Sequence, residues 1–493
     1  MNGDDALFRI AEASVASKAS HDRVAGMVRI ARAAMAAVMM AGMATGLSAA
    51  GPSAAAPVWA QFSPNPPHVA VWDADQIDSS LVATPAGCYD AGSVQGLDRM
   101  LRGGIGPVKG FDSPRIVPMP DGRTLWLLQD AFLDYHGGAT MREIRMMTEI
   151  RYTNSAVLIQ DQQGCFTAVA HGDRTNASSF EPGTNPKDPW HQYWWPAGAS
   201  AAAGTLQIVW VEMTHDSTED RPPMAGPAIH PVATWLGIYD IDTLQRLSFE
   251  LAPNTGVFPI VAFDAVDDPA TGWTYLFGNS FLQNLPLEPN PPLGAHSATV
   301  TTLARVPLGR LDGAPQFWDG EGWVADERAA VPIAQADTIE HIMHPQLIKG
   351  VWWSTTKPNG FLGNTVIVET APAPQGPWTL WGSVPATAHG PRDEIWAGSL
   401  TYAPVLAPWL DAATGHPIVV LSQIDPGWWD HDGGDPARYR PQAIAVPHAR
   451  DLPAQVLTKV DRGPSAARAR TGRAADNLHG GSRERRMSGG SKS

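Results

Sequence analysis

Cysteine is nearly absent. The 493 residues hold two, Cys88 and Cys165, too few for a zinc site and without the C-x-x-C spacing of a redox pair. Charge is also thin: 17 % of residues are charged against 44 % apolar, below a globular norm of about 25 %, which argues against a disordered chain. Basic residues are the scarcer sign, 35 Lys and Arg against 49 Asp and Glu, for a formal net charge of −14. The tail from Asp461 carries 8 Lys/Arg against 3 Asp/Glu and the first 60 residues 5 against 4, so the acidic excess falls on the body between. Such a body repels phosphate backbones, which sets nucleic acid aside and suits a neutral sugar or a cation. No G-x-S-x-G, Walker or dinucleotide motif occurs. Acyl transfer and nucleotide chemistry therefore lack support, and no cofactor or metal is expected.

What the chain has is turn formers. Its 47 Gly and 44 Pro exclude a helical bundle, because long helices tolerate neither residue. Many short strands joined by turns are expected instead. Residues 33–50, AAMAAVMMAGMATGLSAA, follow Arg23, Arg29 and Arg32 and lead into small residues ending at Ala60. This pattern reads as a secretory signal rather than a membrane anchor, with Met27 an alternative start. The expected organisation is an export leader over 1–60, a lead-in over 61–110, a main domain over 111–450 and a disordered basic tail over 451–493. Outside the cytoplasm the two cysteines most simply form one disulfide, Cys88–Cys165, the alternative being two buried thiols.

One unit, an apolar strand, a turn and a second apolar strand, recurs five times. The copies are Phe111 to Phe132, Trp194 to Met213, Phe258 to Phe281, Ile342 to Lys357 and Leu400 to Asp425. Second hairpins follow at Asn154 to Val169, Thr302 to Val324 and Asn364 to Val384. Paired hairpins repeated around an axis make an all-β, five-bladed β-propeller. The last unit looks short of an outer strand, which HVAVWD, His68 to Asp73, could supply to close the ring.

In each hairpin the start of the first strand and the end of the second share one mouth of the axial channel. In the first unit those positions are Asp112 and Asp130; elsewhere they are Trp195, Asn279, His344, Lys357, Tyr402 and Asp425, with Asn154 ending the long connection from Asp130. Paired carboxylates ringed by aromatic and amide groups suit sugar binding, since aromatics stack on C–H faces and amides bond hydroxyls. Asp is also a common strand-end residue, the aromatics could be packing, and His344 reads as a satisfied channel histidine rather than a metal ligand. Asp112 and Asp130 are the candidate catalytic pair; Asn154, Trp195, Asn279, His344 and Tyr402 are candidate substrate contacts.

The order GFDSPRIVPMPDGRTLWLLQDAF, YTNSAVLIQDQQGCF, WWPAGA, WTYLFGN, LARVPLGRL…FWDGEGW and APQGPW, over Phe111 to Asp425, resembles a family of secreted actinobacterial five-bladed propellers. Long labelled a domain of unknown function, that family includes endo-acting D-arabinanases that cut mycobacterial cell-wall arabinan. The resemblance implies two catalytic carboxylates in the first blade, which by position are Asp112 and Asp130. Two departures stand out: Trp195-Pro196-Ala197-Gly198-Ala199 where such proteins often have W-P-G-D-G, and Gln129-Asp130-Ala131 in place of Gly-Asp-Thr. The expected function is a secreted, monomeric glycoside hydrolase acting inside a furanose polymer of the cell envelope, with Asp112 as base and Asp130 as acid. The alternative is a non-catalytic carbohydrate-binding or scaffold propeller of the envelope, motivated by the lost acid.

Overall fold

The structure is a computed structural model that describes residues 78–134, 151–171, 180–181, 193–215, 229–252, 264–283, 297–336, 343–358, 363–386, 400–424 and 439–451. Every recurring unit becomes a meander of antiparallel strands, and five such sheets form the five-bladed β-propeller. Blade 1 holds β1 (Leu81–Cys88), β2 (Val108–Pro118), β3 (Thr124–Leu133), β4 (Arg151–Gln160) and β5 (Cys165–His171), in the order β2-β3-β4-β5-β1 from the axis outward. Blade 2 is β6 (Tyr193–Ala202), β7 (Thr205–His215), β8 (Ile229–Asp240) and β9 (Arg246–Leu251). Blade 3 is β10 (Asp264–Asp268), β11 (Trp273–Gln283), β12 (Ser297–Pro307), β13 (Gln316–Trp318) and β14 (Trp323–Val324), with β15 (Pro332–Ala336) also pairing β12. Blade 4 is β16 (His344–Ile348), β17 (Val351–Thr356), β18 (Thr365–Ala371) and β19 (Thr379–Pro385). Blade 5 has three described strands, β20 (Leu400–Leu410), β21 (Pro417–Ile424) and β22 (Gln442–Ala445).

The apolar residues fall into seams between blades, which is why the inner strands are hydrophobic on both faces. Trp126 and Leu128 of blade 1 pack with Val405 and Val420 of blade 5. Leu125 and Ile159 meet Trp194 and Ile208 across the blade 1–2 seam. Val211 and Leu236 meet Leu276 and Val306 between blades 2 and 3. Tyr275 and Phe277 meet Trp352 between blades 3 and 4. Val366 and Val368 meet Leu406 and Val419 between blades 4 and 5. The ring is thus closed by side-chain packing of blade 5 on blade 1.

His68 to Asp73, expected to complete the last blade, lies outside the described residues. The lead-in strand that is described, β1, pairs with β5 on the outer edge of blade 1 and sets Cys88 opposite Cys165. The two cysteines form the expected disulfide, with Cα atoms 3.8 Å apart. Among the described residues, a helix packs beside the outer strand of blade 5. This helix, α1 (Val94–Gly103), starts at the Ser93 cap and ends at Gly104, whose φ of 78° only glycine adopts without strain. Its Asp98 accepts the backbone N–H of Ala443 on β22 at 3.1 Å, satisfying a donor on that edge.

Candidate active site

The inner strands of three blades are interrupted near the same mouth of the channel. Pairing of β2 with β3 shifts between Phe111 and Asp112 and again between Asp112 and Arg115. The β20–β21 ladder shifts between Tyr402 and Pro404, and the β6–β7 ladder between Pro196 and Ala199. Ser113, Asp130 and Ala403 take φ near 40°, a left-handed conformation that costs a non-glycine residue and re-aims its neighbours. The displaced Ser113 N–H finds a partner across the seam, donating to Ser422 Oγ of blade 5 at 2.8 Å. Local strain at the axis is therefore held by packed neighbours.

These bulges bring the two first-blade carboxylates to one place. Asp112 is buried, 5 % exposed, and its Oδ2 accepts the hydroxyls of Tyr402, at 2.5 Å, and of Tyr439. Its Oδ1 is also buried and has no hydrogen-bond partner. Asp130 is likewise buried, and its Oδ1 accepts the indole N–H of Trp195 at 2.8 Å. Burial, then the charge of Asp130, raises the Asp112 carboxyl well above the usual carboxylate range, against the pull of the two tyrosine hydroxyls and Arg115. Burial and the Asp112 charge raise the Tyr402 phenol as well, which keeps it a proton-bearing donor. Tyr193, edge-on to Trp195 at 5.8 Å, is raised by burial and by the Asp130 charge.

Beside this pair lies a second charged cluster. Arg115, three residues after Asp112, places Nε 3.1 Å from Asp264 Oδ1 at the start of β10, a charge contact without hydrogen-bond geometry. Asp264 Oδ2 sits 2.8 Å from His344 Nδ1 at the start of β16. Burial alone would raise Asp264, but Arg115 and His344 outweigh it and hold the carboxyl below its ordinary value. The carboxylate therefore accepts, Nδ1 of His344 carries the hydrogen, and the expected channel histidine is found satisfied. Among the described residues no group of three or more His, Cys, Asp or Glu side chains converges as a metal site.

The structure thus groups Asp112, Asp130, Trp195 and Tyr402, and places His344 in the neighbouring cluster. Asn154 is on β4 between Thr153, which pairs with Ala131, and Ser155, which pairs with Gln129, and Asn279 is on β11 opposite Thr301; their side chains lie outside the described residues. Lys357 is buried immediately after β17, and Asp425 lies outside the described residues. Sequence reasoning missed Tyr439, Arg115 and Asp264. Arg115 had a signal, being the one cation in the apolar run FDSPRIVP, and Asp264 begins the inner strand of the third unit. Tyr439 belongs to no repeat and had none. A groove of about 460 Å³ lined by Val94, Asp98, Pro385 and Ile444 holds none of these residues.

The family model described as "Domain of unknown function (DUF5005)" matches residues 106–406, a span that includes Asp112, Asp130, Asp264 and Tyr402 but stops short of Tyr439. No curated protein sequence matches the chain. Among solved structures, a protein from Bacteroides ovatus is similar with TM-score 0.46 and 14 % identity, over 68 % of this chain and 84 % of that one. A GH43_1 enzyme from Xanthomonas citri is similar with TM-score 0.37 and 15 % identity, over 69 % and 89 %. A glycoside hydrolase family 43 arabinoxylan arabinofuranohydrolase from Bacillus subtilis is similar with TM-score 0.38 and 12 % identity, over 68 % and 63 %.

Proposed function

The chain belongs to the family described as "Domain of unknown function (DUF5005)", and from its axial site we propose that it is a glycoside hydrolase that cuts within a furanose polymer such as mycobacterial D-arabinan. One observation carries this reading: two buried carboxyls at a single mouth of the channel, of which Asp112 is biased toward its protonated form. Glycoside hydrolysis needs that asymmetry, a carboxylic acid to protonate the leaving oxygen and a carboxylate to act at the anomeric carbon.

The surroundings favour roles opposite to those expected from the sequence. Asp112 is the acid: its proton goes to the glycosidic oxygen as the C–O bond breaks. Asp130 acts as the carboxylate, either attacking the anomeric carbon or taking a proton from the water that does. The hydroxyls on Oδ2 orient Asp112 and leave its unpartnered Oδ1 as the oxygen that carries the proton. Trp195 and Tyr193 supply aromatic surface beside Asp130. The leader-like residues 33–50, together with the disulfide, favour an exported protein that meets an envelope polysaccharide.

A second reading, a carbohydrate-binding propeller without chemistry, is favoured by the Trp195-Pro196-Ala197-Gly198-Ala199 stretch, which lacks the acid of the resembling family. Digestion separates the two. Purified protein incubated with mycobacterial arabinogalactan, and with galactan and xylan as controls, should release oligosaccharides from the arabinan. Retention of the glycan without release supports the binding reading, and release from another glycan alone changes the substrate.

A further inference from the structure

Arg115 stands between two carboxylates and can serve only one of them closely. It follows Asp112 on the same bulged strand, and its charge acts on Asp112, yet its close contact is with Asp264 of blade 3. That contact lacks hydrogen-bond geometry, so charge draws Nε to Asp264, while Nη1 donates a long 3.4 Å hydrogen bond to the Ser113 carbonyl of its own strand. Asp264 is itself fixed from the other side by His344 of blade 4. Meanwhile Asp112 Oδ1, buried and unpartnered, is an acceptor to which a released guanidinium would turn.

We propose that Asp264 is a positioning residue for the reacting pair: it holds the Arg115 guanidinium away from Asp112 Oδ1 and so leaves that carboxyl able to carry the catalytic proton. This rests on the hydrolase reading for its purpose, though not for its test. Asp112 is faced by Arg115 from its own strand, by Asp130 from β3, and by Tyr402 and Tyr439 from blade 5. Blade 2 reaches the pair through Trp195 and Tyr193 beside Asp130, and Asp264 faces Arg115 and His344. With Asp264 neutralised, Arg115 pairs with Asp112 and fixes it as a carboxylate. A carboxylate there has no proton to give the leaving oxygen.

The test follows the carboxylic-acid infrared band that disappears in Asp112→Asn, recorded against pH on the full chain. Asp264→Asn should move the Asp112 midpoint down by about 1–3 pH units, the range set by an opposite charge arriving within contact distance. Arg115→Gln should move it up, and adding Asp264→Asn to Arg115→Gln should move it far less than in the wild type. An unmoved midpoint in Asp264→Asn overturns the proposal. So does an equal shift with and without Arg115, which would mean that only the lost charge matters. Should Asp264→Asn fail to fold, Arg115→Gln alone still decides, because an unchanged midpoint there removes Arg115 from the account. None of these readings depends on glycan cleavage, so a protein inert in the digestion assay still answers the question.

Discussion

The first and fifth blades flank the candidate site and are built in opposite ways. Blade 1 has five strands, its outermost tied by the Cys88–Cys165 bond, and carries both Asp112 and Asp130. Blade 5 has three described strands with α1 packed beside them, and contributes Tyr402 and Ser422, with Tyr439 just ahead of β22. Blade 1 supplies the groups proposed to react, and blade 5 supplies the donors that orient one of them. The contrast teaches that the ring places its proposed reacting groups on the sheet tied by the disulfide and takes the donors that orient one of them from the sheet with the fewest described strands. Damage to the first should destabilise or abolish; damage to the second should adjust.

The largest effect on stability is expected from the disulfide. Replacing Cys88 and Cys165 together by serine frees a 77-residue separation, which costs roughly 4.5 kcal/mol on the chain-entropy model. Thermal melting should drop clearly, while turnover per folded molecule stays unchanged because neither sulfur touches the candidate site. Lost turnover at a temperature where the variant is folded would mean that blade 1 transmits strain to the site.

Changes in blade 5 should be smaller and chemical. Tyr402→Phe or Tyr439→Phe each removes a hydroxyl donor from a buried carboxyl, worth about 1–3 kcal/mol. Because those hydrogen bonds hold the Asp112 carboxyl down, each variant should move its titration further upward. A pH–rate profile that stays in place with either variant would deny blade 5 its tuning role.

The smallest expected effect is a pH-dependent gain in stability. Burial makes folded Asp112 bind its proton more tightly than the unfolded chain does. Its contribution to stability is therefore complete below the ordinary carboxylate value of about 3.9 and is lost as pH rises toward the raised value. Asp112→Asn escapes that loss, so it should melt above the wild type at neutral pH and level with it in acid. A variant that melts lower at every pH would show that the carboxylate stabilises the fold.

Much of the ring was legible because each hairpin is an apolar run broken by a Gly or Asp turn, as at Asp121–Gly122. Blade 5 reads as short of an outer strand, and three strands of it are described. The strand expected from His68 to Asp73 lies outside the described residues; what the sequence did not announce is that α1, a helix capped by Ser93, packs beside β22. The nearest described strand, β1, went to blade 1, where the cysteine register holds it. At the site, the antiparallel hairpin, whose first strand starts where its second ends, was enough to bring Asp112 and Asp130 to one mouth. It could not reveal Tyr439, which packs against Phe132 from outside any repeat. Nor could it reveal that burial raises the Asp112 carboxyl, since charge and hydration depend on neighbours from other blades.

In the proposed reaction Asp112 donates the proton to the leaving oxygen while Asp130 acts at the anomeric carbon. An arabinofuranosyl oligosaccharide with a dinitrophenyl leaving group tests it most directly, because that group departs without being protonated. Relative to the wild type, Asp112→Asn should cleave natural arabinan poorly, by about 10²–10⁴-fold, and regain most of its rate on the activated substrate. Asp130→Asn should be slow on both. Rescue of Asp130→Asn in place of Asp112→Asn would contradict the assignment, and wild-type rates in both variants would contradict the site.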